Sequence, residues 1–276
     1  MIIKPSIKQF QKVIWGYHAE HRRSLPWRRT RDPYKILVSE MMLQQTQVGR
    51  VLEKYRSFLK KFPSIKILAT APLQEVLLEW QGLGYNRRAL YLKKTAKTVA
   101  NDHNGKFPQT QEELLKLPGI GQSTAGALLA FAYNLPAIFV ETNIRSVFLH
   151  FFFKDISSVP DTMIRELVEK TFDYSNPREW YYALYDYGTM LKKSVDANTR
   201  SVHRKSKHYK KQSKFIGSNR ELRSRIIKHI LSSSKAQSTE QIIKKVLGDS
   251  EAITSNLKSM RKEGLLKHVT QGWKTA

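Results

Sequence analysis

A tight turn between two helices is encoded by LPGIGQSTA, residues 117–125. Just before it, Thr110 and Glu113 form a capping-box pattern, which predicts a short helix that reaches Leu117. The two glycines permit a chain reversal that residues with a side chain rarely adopt. Small residues follow Gly121 and predict a second helix. The segment as a whole therefore predicts a helix, a hairpin and a helix.

This hairpin has the chemistry of a phosphate-binding element. Gly119 and Gly121 allow a phosphate to approach the main chain closely. The start of the next helix, from Gln122 to Thr124, presents N–H groups and the positive end of the helix dipole. Such an element holds a nucleic-acid backbone without reading its sequence. The alternative is a plain helix connector in which glycine serves the geometry alone.

The composition favours the nucleic-acid interpretation. Among 276 residues, 48 Lys and Arg outnumber 23 Asp and Glu, which leaves a net charge of +25, and 41% hydrophobic residues suffice for a folded core. A folded protein this basic is expected to bind a polyanion. Because no apolar run reaches the ~18 residues of a membrane span and no signal peptide opens the chain, we expect a cytoplasmic, nucleoid-associated protein without membrane contact.

The distribution of apolar residues divides the chain. Through the first 190 or so residues they recur at helical spacing and no stretch alternates as a strand does, so the predicted fold class is mainly α. Residues 192–228 then contain thirteen Lys or Arg and two acidic residues, and we interpret 194–217 as a basic connector. Residues 218–276 are predicted to form three short helices and a terminal hairpin. This is the order of a winged helix, which docks on duplex nucleic acid or on protein.

The run SEMMLQQTQV, residues 39–48, resembles a signature of the helix-hairpin-helix DNA glycosylase superfamily, and within it of the MutY-type adenine DNA glycosylases. Further matches follow in the family's order: LPWR at 25–28, DPY at 32–34, QGLGY at 81–85, the hairpin, and YG at 187–188. The resemblance covers roughly residues 5–193 and implies two helical lobes with a cleft. The predicted ranges are 1–193 for the glycosylase domain, about 26–136 for its six-helix lobe, and 1–25 with 137–193 for the second lobe.

The resemblance implies two catalytic carboxylates. An enzyme that cleaves adenine from deoxyribose needs a proton donor at the base and a negative charge near the sugar. Glu40 matches the family's acid, and the apolar residues around it predict that burial raises its pKa. Glu141 stands where the family has an aspartate, in the segment ETNIRSV, 141–147. The alternatives are a buried Glu40 paired with an arginine and a Glu141 that is only a polar residue at a helix start.

The resemblance also implies residues that flip the base out of the duplex and hold it. Gln45 and Tyr85 match the residues that enter the base stack, where a planar ring and a planar amide are suitable wedges. The matches to base-pocket positions are Trp27, Arg28, Leu43, Ser123 and Asp186, of which Arg28 and Asp186 are expected to hydrogen-bond adenine. The alternatives are a Tyr85 in the core, an Arg28 that faces solvent, and an Asp186 that caps or pairs locally.

Ser123 bears on the reaction itself. Bifunctional relatives carry a nucleophilic lysine at this position, which forms a Schiff base with the sugar and cleaves the strand. Serine cannot do so, and the resemblance is therefore to the monofunctional branch, without intrinsic AP lyase activity.

Two parts that the family usually carries are missing from the sequence. The chain has no cysteine, so it cannot hold the family's four-cysteine iron–sulfur cluster, and we expect no cofactor and no metal. The family's Nudix-like C-terminal domain, which recognises 8-oxoguanine, is replaced by the predicted winged helix. The basic connector is expected to take over phosphate contacts of the cluster region.

The function implied is a monofunctional DNA N-glycosylase, a hydrolase of base excision repair that excises adenine opposite 8-oxoguanine or guanine. The expected partner is double-stranded DNA that contains a mismatch or an oxidised base, and we expect a monomer. One alternative is a glycosylase of the same fold that removes thymine or uracil opposite guanine. Others are a non-catalytic protein that binds DNA lesions and a transcription regulator built on the winged helix, although the second leaves the pattern around Glu40 unexplained.

Overall fold

The computed structural model describes residues 5–276 of the chain. Residues 1–4, with which the predicted glycosylase domain and its second lobe begin, lie outside the described residues. The described chain consists of helices followed by an antiparallel strand pair at its C-terminal end. The predicted mainly α fold class is confirmed.

The elements are named in chain order, with two 3-10 turns at Pro26–Arg28 and Val202–Lys205. The helices are α1 (Ile7–His21), α2 (Pro33–Leu43), α3 (Val48–Lys61), α4 (Ile65–Thr70), α5 (Leu73–Glu79), α6 (Arg87–Asp102), α7 (Gln111–Lys116), α8 (Gln122–Tyr133), α9 (Thr142–Phe152), α10 (Asp161–Lys170), α11 (Pro177–Lys193), α12 (Ala197–Arg200), α13 (Asn219–Leu231), α14 (Thr239–Lys245) and α15 (Ser250–Glu263). The strands are β1 (Leu266–Val269) and β2 (Gly272–Thr275).

The chain packs as two compact units, each assembled from separate segments. The first unit contains the described residues up to Ile36, Gln109–Leu115 and Ile120–Lys211. The second unit contains Leu37–Pro108, Lys116–Gly119 and Gln212–Ala276. The grouping differs from the predicted lobes at α8, which lies in the first unit because its Phe131 stacks on Tyr182 of α11, with ring centroids 4.4 Å apart.

Helix α11 is the centre of the first unit. Helices α1, α8 and α9 all pack against it, and its Trp180 joins an aromatic cluster in which Phe10 lies 6.0 Å from Trp180 and 5.2 Å from Phe148 between ring centroids. These apolar side chains follow one another at helical spacing, so each helix buries one face. The predicted connector is ordered in part, because Val159 exchanges main-chain hydrogen bonds with Lys205 and Lys207 at 2.9 and 3.0 Å.

Close contact between α11 and α9 depends on one glycine. A Cβ atom on Gly188 would lie 2.6 Å from the carbonyl oxygen of Asn143, closer than side-chain carbons come to such an oxygen. The main chain of α11 therefore rests directly on the first turn of α9. This contact fixes the start of α9, where Glu141 lies.

The second unit is formed around α6, against which α4 and α5 pack. Phe58, Phe62 and Trp80 fill its interior, with Phe58 centred 4.9 Å from Phe62 and 5.8 Å from Trp80. Residues 218–276, here called the C-terminal module, belong to this unit because α13 contacts α5.

The C-terminal module contains the three helices and the hairpin that the sequence predicts. Ser218, Ser238 and Asp249 cap the three helices through side-chain oxygens that accept main-chain N–H bonds. Strands β1 and β2 pair in antiparallel register, with Leu266 opposite Thr275. Gly272 is required at the turn, because its φ is +123° and a Cβ there would lie 2.3 Å from the carbonyl oxygen of Gln237.

Replacing Gly188 with alanine should destabilise the first unit. We expect Gly188→Ala to lower the free energy of unfolding by about 1–3 kcal/mol, since the added methyl group must push α9 and α11 apart. Gly16→Ala is the matched control within α1, where a Cβ meets nothing within 4 Å, and it should raise stability by about 0.5–1 kcal/mol. Urea unfolding measures both; equal effects would contradict the proposed close contact.

Candidate active site

Glu40 lies on α2, which begins where Asp32 accepts a hydrogen bond from the Tyr34 N–H at 2.9 Å. Leu37, Val38, Met41 and Met42 of this helix are buried, whereas Glu40 is half-buried. The prediction that the apolar helix buries Glu40 fully is therefore wrong. Residue 40 lies at the margin of the buried face, so its carboxyl group keeps access to solvent and to a ligand.

Arg88 fixes the end of this helix. The buried guanidinium, 8% exposed, donates hydrogen bonds to the last carbonyl groups of α2 and to the turn that precedes α6. The acceptors are the carbonyl oxygens of Met41 (2.8 Å), Met42 (2.9 Å), Gln44 (2.5 Å), Leu83 (2.9 Å) and Gly84 (2.9 Å). Burial lowers the pKa of Arg88 to about 10. We call this arrangement the Arg88 cluster.

The sequence analysis did not single out Arg88. Its signal was available, because Arg88 precedes Leu92 by four residues and so falls on the apolar stripe of α6 that continues to Val99. A charged residue at such a position needs buried acceptors. Carbonyl groups at a helix end are the ordinary source, since the last four have no partner within the helix.

The Arg88 cluster places the two predicted wedge residues side by side. Gln45 and Tyr85 each follow a carbonyl group held by Arg88, and both adopt left-handed backbone conformations, with φ of 55° and 49°. Tyr85 is half-buried, which excludes the alternative of an ordinary core tyrosine, and Gln45 is exposed. The side-chain amide of Gln212 donates to the oxygens of both, at 3.3 Å to Gln45 and 2.5 Å to Tyr85.

The hairpin is formed as predicted, with one required glycine. Gly119 has a φ of +76°, and a Cβ there would lie 2.5 Å from the Cβ of Tyr91. Gly121 adopts an extended conformation at the N-cap of α8, whose first helical bond runs from the Ala125 N–H. Gln122 is exposed and Thr124 is buried, so at the start of α8 only the main chain of Thr124 is suited to contact a phosphate.

Glu141 is the N-cap of α9. Its Oε1 accepts hydrogen bonds from the main-chain N–H groups of Asn143 and Ile144 at 2.6 and 2.7 Å, and its Oε2 accepts one from the Asn143 side chain at 3.2 Å. Burial raises the pKa of Glu141, although these N–H groups and the charge of Lys192 oppose the shift. The Glu141 side chain is long enough to fill the N-cap position that shorter residues usually occupy.

Two further residues lie next to Glu141. Lys192 donates from Nζ to the Asn143 side-chain oxygen at 2.7 Å, and Ser123 donates from Oγ to the Val140 carbonyl oxygen at 3.0 Å. Burial lowers the pKa of Lys192, and the carboxylate of Glu141 opposes that shift. The sequence analysis assigned Lys192 no role, because the residue lies in a basic run that resembles a solvated surface.

Asp186 lies in an ion-pair network of the first unit and is 2% exposed. Arg28 donates two hydrogen bonds of 2.8 Å to its two oxygens, Arg23 donates one of 2.5 Å, and His18 lies 3.1 Å away. Burial by itself would raise the pKa of Asp186, but these partners hold it well below its usual range. The pairing is the local role that the sequence left open for Asp186.

The network also limits what the predicted base pocket can do. Arg28 is 7% exposed and its Cζ lies 4.4 Å from the ring centroid of Tyr182, so it does not face solvent. Trp27 is buried as well, whereas Leu43 is half-buried. Arg28 and Asp186 spend their hydrogen-bonding groups on each other, and a contact of either with adenine requires this pair to open.

Comparison with known proteins accounts for these positions. The model of the HhH-GPD superfamily of base excision DNA repair proteins matches residues 38–172, a segment that contains Glu40, the Arg88 cluster, the hairpin and Glu141. The chain is 40% identical over 186 residues to the adenine DNA glycosylase of Buchnera aphidicola subsp. Baizongia pistaciae, which covers 66% of this chain and 52% of the relative. The chain belongs to the HhH-GPD superfamily.

Other superfamily members support the assignment. The adenine DNA glycosylase of Mycobacterium tuberculosis (strain H37Rv) is 44% identical over 135 residues, which are 49% of this chain and 44% of that protein. A solved thermostable thymine-DNA glycosylase superposes with a TM-score of 0.62 at 29% identity and covers 67% of this chain and 87% of its own. The chain spans about half the length of the curated relatives it matches.

The superfamily's iron–sulfur cluster does not fit this chain, because the sequence contains no cysteine to hold it. Within residues 5–276, no group of three or more His, Asp or Glu side chains is arranged to hold a metal ion. None of the helices in the same residues is long and apolar enough to cross a membrane.

Removing the Arg88 guanidinium should destabilise the second unit. We expect Arg88→Met to cost about 3 kcal/mol or more of unfolding free energy, because buried carbonyl groups lose their donors. Arg87→Met is the matched control, since Arg87 is the exposed neighbour whose side chain contacts Tyr91 and Glu263. It should change stability by no more than about 0.5 kcal/mol. Urea unfolding of both variants tests the expectation, and a similar loss in each would contradict it.

Proposed function

We propose that this protein is a monofunctional DNA N-glycosylase that excises adenine mispaired with 8-oxoguanine or guanine. The observation that carries the proposal is a partly exposed Glu40 on the same short segment as Gln45, with Tyr85 brought beside Gln45 by the Arg88 cluster. Superfamily membership and relatives named adenine DNA glycosylase support it. A substrate in chromosomal DNA would place the protein at the nucleoid.

The first step is binding of a DNA duplex without sequence reading. The net charge of +25 favours neutralisation of phosphates. The hairpin around Gly119 and the amino end of α8 suit one backbone phosphate. Tyr85 and Gln45 then enter the base stack while the target nucleotide turns out of the duplex, because an enzyme cannot reach the bond to a stacked base.

Glu40 acts on the base in this proposal. Its carboxyl group donates a proton to a ring nitrogen of adenine, so that the C1′–N9 bond breaks with its electron pair going to a neutral leaving base. Water adds to C1′ and releases a proton, which leaves an abasic site. Ser123 offers no amine to the sugar, so the strand stays intact until another agent cleaves it.

Glu141 acts on the sugar. As the base departs, the sugar gains positive charge, and a carboxylate stabilises that charge mainly in the transition state. Its N-cap hydrogen bonds hold the carboxylate in a fixed orientation before the reaction begins. The same group is therefore suited to both a structural and a catalytic role.

A second candidate is a glycosylase that removes thymine or uracil opposite guanine. The observation in its favour is the similarity to a solved thymine-DNA glycosylase, together with the pairing of Arg28 and Asp186, which leaves adenine without a specific contact from either. The two candidates differ in the base that is released. The same assay therefore decides between them.

The proposed reaction is tested by release of free base from a panel of duplexes, each with one mismatch, followed by alkali to cleave abasic sites. We expect release of adenine from A·8-oxoguanine and A·G duplexes and no strand cleavage before alkali. Glu40→Gln should abolish release and leave duplex affinity within a few-fold of wild type, because only the proton donor is lost. Release of thymine alone, or full activity in Glu40→Gln, would contradict the proposal.

Glu141 should give the reaction a characteristic pH dependence. Because Glu141 acts as an anion and its pKa is raised, the single-turnover rate should rise with pH through a range above that of an ordinary glutamate. Glu141→Gln should lose this rise and at least ~100-fold in rate at neutral pH. Glu141→Asp keeps the charge and a good N-cap but withdraws the carboxylate, so its rate should lie between the two. Equal rates in all three proteins would show that Glu141 only caps α9.

A further inference from the structure

The hydroxyl group of Tyr85 is held by residues far away in the sequence. Gln212 donates to this oxygen from Nε2 at 2.5 Å, and Arg220 of α13 donates from Nη1 at 2.9 Å. Both residues lie in the second unit, as Tyr85 does. Both also lie beyond the segment that matches the superfamily, which ends at residue 172.

Arg220 is fixed on two sides. Its Nη2 donates to the Ser213 carbonyl oxygen at 2.7 Å, and its Cζ lies 5.5 Å from the ring centroid of Tyr85. The Cζ of Arg88 lies 5.4 Å from the same centroid. The tyrosine ring therefore interacts with two guanidinium groups, one from the Arg88 cluster and one from the C-terminal module, in the manner of cation–π pairs.

Gln212 extends the contact to the second wedge residue. Its amide also donates to Oε1 of Gln45 at 3.3 Å, so one side chain joins the tips of Gln45 and Tyr85. Both wedge residues have positive φ angles, a conformation that non-glycine residues keep only when the surroundings hold them. Ordering these side chains before DNA arrives reduces the entropy that base flipping must overcome.

We propose that Arg220 and Gln212 are positioning residues for the wedge, which hold Tyr85 and Gln45 in the conformation that enters the duplex. This inference rests on the proposed function in taking Tyr85 and Gln45 as the wedge. The C-terminal module then contributes to base flipping and not only to affinity for phosphates. The opposite possibility is that Arg220 and Gln212 cover the wedge and must leave before DNA enters, and the experiment separates the two.

The test is a double-mutant cycle between Arg220→Met and Tyr85→Phe, which removes the two partners of one hydrogen bond. Lys228→Met is the matched control, since Lys228 is an exposed cation on the same helix and its loss changes the net charge equally. The readouts are the single-turnover rate of adenine release, duplex affinity, and the fluorescence of a 2-aminopurine placed beside the mismatch. The fluorescence reports insertion of the wedge without any base release.

We expect Arg220→Met to slow adenine release about tenfold and to reduce the 2-aminopurine signal, since a hydrogen bond from a charged donor is lost. Its duplex affinity should match that of Lys228→Met. The double variant should be no slower than Tyr85→Phe alone, because Arg220 acts through the hydroxyl that Phe lacks. Arg220→Lys, which keeps the charge and one donor, should recover part of the rate and of the signal.

Three results would overturn the inference. They are a rate and signal in Arg220→Met equal to those of Lys228→Met, additive effects of Arg220→Met and Tyr85→Phe, and a faster reaction in Arg220→Met, which would show that the module covers the wedge. Failure of the proposed function gives a different result, namely no base release by the wild-type protein from any duplex. In that case the fluorescence comparison still decides whether Arg220 positions the wedge.

Discussion

The second unit depends on one buried cation that has main-chain partners. Arg88 carries its charge into a site that is 8% exposed, where it is stable because five carbonyl oxygens accept its hydrogen bonds. Those carbonyls belong to the end of α2 and to the turn before α6. A single guanidinium thus fixes the position of Glu40 on its helix, of Gln45 after it, and of Tyr85 beside Gln45.

Burial and local donors decide what each carboxylate of this protein can do. Asp186 is enclosed by Arg28, Arg23 and His18, which stabilise its charge and occupy its oxygens, so it serves the packing of α11 against α1. Glu141 has main-chain donors that orient its carboxylate at the start of α9, a position that also suits a developing positive charge. Glu40 is the most accessible of the three, as a group that exchanges a proton with a ligand must be.

The C-terminal module takes part in the same unit as the superfamily segment. Its α13 packs on α5, and its Arg223 and the neighbouring Arg87 both approach Glu263, at 2.6 and 3.8 Å. A chain that lacks the cysteines for a metal cluster and carries many lysines and arginines can still bring cations to the wedge, because contacts such as Arg220 with Tyr85 need only side-chain reach. The module is therefore an integral part of the structure around Tyr85 and Gln45.

The sequence alone determined the helical fold class, the hairpin at Gly119, the helix order of the C-terminal module and the positions of Glu40, Gln45, Tyr85 and Glu141, since these follow from periodicity, capping patterns and local motifs. It did not determine the burial of Glu40, the pairing of Arg28 with Asp186, or the roles of Arg88, Gln212 and Arg220. Each of these depends on residues brought together from distant parts of the chain, such as Tyr85 and Arg220, which are 135 positions apart. Local patterns report the tendency of a segment to form a helix or a turn, whereas the partner of a buried charge is decided only when the segments pack.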